Sequence, residues 1–189
     1  MLLACGGLGT VTYFLFLREI EEPVTAADRD VVVTVEHLRQ FVATLQTDPS
    51  RGQLSKVRHL DGSRELTYEY ESPDGADDIL YVYCTVGIEP TATDAQYAYG
   101  GVRLGTKIGF GMGGGDKVQE VERNDLWQWG EHSRCVLLQS SGKQVGNVFM
   151  ARKGRRYFVL VLVGVYFDNP EVIHELLDPM LQRLQNYEG

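Results

Sequence analysis

Four histidines, three cysteines, a glycine-rich stretch, a tryptophan pair and one basic hairpin are the places where this sequence could do chemistry. The histidines are His37, His59, His132 and His174, and no two stand at the H-x-x-x-H spacing that puts two imidazoles on one helix face around one metal ion. His132 and Cys135 lie three apart beside Glu131 and could supply half a zinc site. On a strand, however, they would point to opposite faces. No metal and no cofactor are therefore expected.

Gly109-Phe110-Gly111-Met112-Gly113-Gly114 satisfies G-x-G-x-x-G. The dinucleotide fingerprint needs a strand before the glycines and a helix after them, so that the helix N-terminus holds the pyrophosphate. Here the order is reversed: a helical stretch precedes and the strand-like Val118–Val121 follows. The stretch reads as a loop, or as a flap over a pocket in which Gly111 and Gly113 would approach a ligand. Neither a phosphate-binding G-x-x-x-x-G-K-[ST] nor a G-x-S-x-G nucleophile elbow occurs.

Trp127 and Trp129, with Tyr97 and Tyr99 nearby in sequence, could line an aromatic pocket or a docking edge. Arg152-Lys153-Gly154-Arg155-Arg156 is the one concentrated basic run. It falls on a hairpin tip, where it would be a solvated turn or would meet an acidic partner or lipid headgroups. Cys84 and Cys135 sit in strand-like stretches. They read as buried free thiols, or as a disulfide closing a 51-residue span and worth roughly 4 kcal/mol on the oxidising side of a membrane. Leu2-Leu3-Ala4-Cys5 fits a lipobox, which makes Cys5 a possible lipidation site.

The elements that would position these residues follow from charge and periodicity. The chain has 189 residues, 18 basic and 26 acidic, for a formal charge of −8, and 43% of it is hydrophobic. That composition folds, as one domain with a substantial core, and it argues against a general nucleic-acid binder, which needs a basic field. The average conceals an asymmetry, because the first 17 residues, MLLACGGLGTVTYFLFL, carry no charge. As a helix they span roughly 25 Å, close to a ~30 Å hydrocarbon core. The expectation is a single-pass membrane anchor over 1–17, a linker over 18–34 and a globular domain over 35–189. The acidic balance favours the face away from anionic cytoplasmic lipid, hence an extracytoplasmic domain.

Thr25 and Asp28 resemble a capping pair for a brief helical turn. Val35, Leu38, Phe41, Val42 and Leu45 recur at helical spacing. Alternation marks a strand over Leu66–Tyr70, with Leu54–Leu60 as its hairpin partner across Asp61-Gly62. Ile79–Ile88 is apolar on both faces. A helix from Pro90 and Thr93 carries Ala95, Ala98, Tyr99 and Val102, with Gly100, Gly101 and Gly105 allowing close approach to a sheet. Strands follow over Lys117–Glu122, Ser133–Ser140, Gln144–Ala151 and Tyr157–Phe167. Asn169 and Pro170 open a final amphipathic helix, which Pro179 should kink or split. Hairpins make the sheet mostly antiparallel, and strands apolar on both faces need helices on each side. The fold class is α+β, a three-layer α/β/α sandwich.

This order, ending in the hairpin Asn147-Val-Phe-Met-Ala-Arg-Lys-Gly-Arg-Arg-Tyr-Phe-Val-Leu-Val-Leu and an amphipathic helix, resembles the PsbP-like fold of extrinsic photosystem proteins and of bacterial lipoproteins or anchored proteins. The resemblance spans roughly Thr34 to Tyr187 and implies a binding or accessory role. It transfers no functional residue. Together the readings describe a membrane-anchored, non-catalytic domain that binds a protein or a small apolar ligand. Its alternatives are a hydrolase-like enzyme with dispersed residues around Gly109–Gly115, and an envelope structural or assembly factor.

Overall fold

A computed structural model of the chain describes residues 19–45, 47–73, 80–112 and 118–189, with backbone alone over 104–112. The expected anchor 1–17, Cys5 and Gly113 lie outside the described residues. Among the described residues, no helix is long and apolar enough to cross a membrane.

Eight strands form one antiparallel sheet: β1 (Ile20–Glu21), β2 (Gln53–Arg58), β3 (Arg64–Glu71), β4 (Tyr81–Ile88), β5 (Gln119–Glu122), β6 (His132–Ser140), β7 (Lys143–Lys153) and β8 (Arg156–Val163). Their order, β1-β2-β3-β4-β8-β7-β6-β5, is two four-stranded meanders joined along β4 and β8. Asp61-Gly62 and the hairpin tip at Gly154 turn where expected. Gly62 and Gly154 take φ of 90° and 57°, and Ser141-Gly142 takes 51° and 77°, the left-handed pair of a two-residue hairpin.

Among the described residues the α-helices are α1 (Ala26–Arg29), α2 (Val35–Arg39), α3 (Ala92–Met112) and α4 (Pro170–Leu184). Strand alternation separates two apolar clusters. Leu66, Val82, Cys84, Phe149 and Leu160 pack with Leu38 of α2 and with Ile173, Leu177 and Leu181 of α4. Val136, Val148, Met150, Val159 and Val161 pack with Tyr99 of α3.

Five expectations are corrected. Residues 20–34 are not a linker. Ile20 pairs with Arg58, the Thr25–Asp28 capping box forms, and Val31, Val32 and Val33 are at most 2% exposed. A run of three β-branched residues among charges is short, yet the Val33 N–H donates to Cys84 Sγ at 3.2 Å and the run seals one core. The helix begun at Val35 ends at Arg39. Phe41, Val42 and Leu45 reach the core from the turns that follow.

Gly109 to Met112 are helical rather than loop, because α3 continues to Met112. Nor do Gly100 and Gly101 serve close packing: a Cβ at either would meet nothing within 4 Å. Finally, α4 runs unbroken past Pro179. Its N-terminus is as expected, with Asn169 Oδ1 accepting the Glu171 N–H at 2.8 Å.

A buried polar knot ties the chain's early and late parts together. Asp28, 0% exposed, accepts from Lys56 Nζ at 3.2 Å, from the Thr25 N–H at 2.6 Å and from the Tyr187 hydroxyl.

Candidate functional site

The basic hairpin is where sequence and structure converge. Strand register sets Lys153 opposite Arg156, Arg156 opposite Ile88, Ile88 opposite Arg64 and Arg64 opposite Arg58. Directly opposed residues share a face. Lys153, Arg156, Arg64 and Arg58 therefore form one cationic row across β7, β8, β4, β3 and β2, interrupted by Ile88. The row lies on the α4 side of the sheet, by the helix C-terminus, whose unpaired carbonyls favour cations.

Gly130 brings the aromatic part in. With φ of 72° it bridges to Arg152, and a Cβ there would meet the Arg152 carbonyl oxygen at 2.2 Å. This close approach lays Trp129 beside the hairpin, with Lys153 Nζ 5.6 Å from its ring centroid in a cation–π contact. Glu131 then caps the turn, both carboxylate oxygens accepting the Gly154 N–H at 3.0 Å while Arg152 Nη1 lies 3.4 Å away. A cleft of about 240 Å³ opens between Trp129, Glu131, Lys153, Gly154, Arg156 and Gln185.

The row already holds a piece of peptide. Arg156 donates from Nε and Nη2 to the Tyr187 carbonyl at 3.1 and 2.8 Å, and from Nη2 to the Glu188 carboxylate at 2.8 Å. Arg155 also donates to that carboxylate, and Arg64 Nη1 donates to the Glu188 carbonyl at 2.8 Å. At the far end, Glu22 pairs with Arg58 at 3.1 Å and with Arg64 at 3.6 Å. Guanidinium forks recognise carboxylates and carbonyls by geometry as well as charge, so the arrangement can bind.

Of the residues singled out in the sequence, Trp129, Lys153, Arg155 and Arg156 come together here. Arg152 starts on the opposite face, in register with Tyr157 and His132, and its guanidinium reaches back to Glu131 and to the Gly154 carbonyl at the hairpin tip. Tyr99, 8% exposed, stacks on His132 on that same face, with ring centroids 6.5 Å apart, whereas Tyr97 is 76% exposed. Trp127 is core, edge-on to Phe149 at 5.7 Å, and Gly111 is helical.

The disulfide reading is overturned, since Cys84 and Cys135 are buried free thiols. Register places them in one row, but Leu160 and Phe149 stand between them. Three strand spacings make roughly 14 Å, twice the reach of a disulfide. Burial pushes both thiols up to about 12. Among the described residues, no group of three or more His, Cys, Asp and Glu side chains could hold a metal ion.

Arg58, Arg64 and Glu188 were not singled out in the sequence. The alternation of β3 does put Arg64 on the face of Leu66, Tyr68 and Tyr70, but only the strand order brings it to Arg156.

Fold and site define an α+β domain whose sheet carries a cationic row at one end, next to a tryptophan-lined cleft. The chain matches no known family, no curated protein and no solved structure.

Proposed function

We propose that this chain is a non-catalytic binding or accessory domain, held at a membrane through residues 1–17, whose cationic row recognises an acidic segment of a protein partner. The observation that carries the reading is the seating of Tyr187 and Glu188. Three arginines on two elements grip one carboxylate and two backbone carbonyls, the groups an acidic peptide presents. Trp129 adds a flat apolar wall, and Lys153 a cation paired with no carboxylate within 4 Å among the described residues.

The two apolar clusters on opposite faces of the sheet support a three-layer arrangement, with α2 and α4 on one side and α3 on the other. The charge-free segment 1–17 and the net charge of −8 support an anchor and an extracytoplasmic position. Because Ile20 is already in the sheet, opposite Arg58, such an anchor would enter the domain at the row's own end.

The test is fluorescence anisotropy of a labelled glutamate-rich peptide with the full chain in nanodiscs. Binding should weaken with salt and fall at least about tenfold when Arg155 and Arg156 become serine. Equal binding by that variant, or by a lysine-rich control peptide, would overturn the reading.

A further inference from the structure

A second cleft, also of about 240 Å³, shares no lining residue with the first. It lies between the α2 region and the middle of α4. Val32, Val33, Phe41, Leu176 and Met180 provide its apolar walls, and Phe41 is held edge-on against Phe167 at 6.4 Å.

Its polar groups have free valences. The Thr34 N–H donates to His37 Nδ1 at 3.2 Å, so the neutral ring carries its proton on Nε2. Burial lowers the ring's pKa, with nearby Arg183 acting in the same direction and Glu36 and Asp30 against it. The imidazole is therefore a neutral donor at physiological pH, and Nε2 has no partner among the described residues. Arg183 makes one long contact, from Nη1 to the Asp30 carbonyl at 3.4 Å, and pairs with no carboxylate among the described residues. A guanidinium and an imidazole lining one cleft, beside an apolar wall, match a carboxylate attached to an apolar body.

Glu175 narrows the choice. It lines the same cleft eight residues before Arg183, about 12 Å along α4. Pro179 has no N–H, so the Glu175 carbonyl also lacks its usual helical donor. The Glu175 carboxylate disfavours a second negative charge at its end of the cleft.

We infer that the α2–α4 cleft binds a small organic monocarboxylate, its carboxylate between Arg183 and the His37 Nε2–H and its apolar body against Phe41, Leu176 and Met180. The volume lies below the ~300 Å³ at which drug-sized pockets begin, which suits an aryl-alkanoate or a short acyl chain.

The experiment titrates the full chain, in nanodiscs, with 4-phenylbutyrate and follows binding by ligand-observed NMR. Wild type should bind with saturation. The Arg183→Ala variant should bind at least about tenfold more weakly with an unchanged melting temperature, and Arg183→Lys should recover part of the loss. Uncharged 4-phenylbutanol should bind about tenfold more weakly than the acid, and a phenyl dicarboxylate should be excluded. The Arg155→Ser/Arg156→Ser variant should bind 4-phenylbutyrate like wild type, which separates this cleft from the cationic row. Absence of saturable binding by wild type, or undiminished binding by Arg183→Ala, would sink the inference.

Discussion

Arg156 holds Glu188 and the residue before it at once, its Nη2 lying 2.8 Å from both the Glu188 carboxylate and the Tyr187 carbonyl oxygen. A peptide segment of the chain itself thus sits where an acidic partner would. Replacing Glu188 with glutamine removes the competing charge and leaves the backbone contacts. Because Glu188 is largely exposed, its ion pairs are worth about 0.2–1 kcal/mol. Affinity for the glutamate-rich peptide should rise about two- to fivefold, with the melting temperature almost unchanged. An affinity that falls would mean that Glu188 builds the site and does not occupy it.

Cys84 and Cys135 should stay reduced whatever the redox environment. Treatment with a reductant should leave the intact mass unchanged, and iodoacetamide should label neither thiol at neutral pH until denaturant is added. Both thiols titrate near 12 because burial disfavours the thiolate, the reactive form.

Gly100 and Gly101 offer a gain in stability. Both are exposed in α3, with open space where a Cβ would be. Alanine at each should stabilise the protein by about 0.5–1 kcal/mol, measured by urea unfolding. A loss would show that a binding partner or another part of the chain approaches there.

Asp28 makes the protein acid-sensitive. Burial pushes its carboxyl up, but hydrogen bonds from the Tyr187 hydroxyl, from Thr25 and from Lys56 outweigh this and hold it below the usual carboxylate range. A depressed pKa gives stability that is present above the unfolded value of ~3.9 and is lost as the pH falls through the folded one. Between about pH 5 and pH 2 the wild-type melting temperature should therefore drop more steeply than that of Asp28→Asn. Parallel profiles would contradict the sign.

Trp127 and Tyr97 should behave in opposite ways. Trp127 is 1% exposed against Phe149, so Trp127→Ala should lose about 3–5 kcal/mol. Tyr97→Ala should lie within about 0.5 kcal/mol of wild type.

The strands and their turns were legible because alternation and Gly-bearing dipeptides are local signals. Leu66, Tyr68 and Tyr70 point inward as their spacing indicates, and Gly62 and Gly154 turn where expected. Helix ends were less legible. Five glycines from Gly100 to Gly111 weaken the helical propensity of α3, yet it runs on to Met112. Propensity of about 1 kcal/mol per glycine is a weak force beside tertiary context.

The site was half legible. The run around Lys153 announces itself in sequence, but Arg64 and Glu188 join it only through strand order and the fold of the last residues. The Cys84–Cys135 pair shows the converse. Both residues were rightly placed in strands, but how many strands separate them depends on a sheet order that no local pattern carries.

The seam between β4 and β8 has a consequence for how the molecule assembles. Every other strand pairing joins neighbours in sequence, whereas Tyr81↔Val163 and Ile88↔Arg156 bring together residues roughly 70–80 positions apart. Each meander can close its hairpins early, so the slow step should be the meeting of two half-sheets. Loop-closure entropy weighs on that single event. A chain cut between α3 and β5 would keep both halves whole, and the two fragments, mixed, should find each other along one pair of strands.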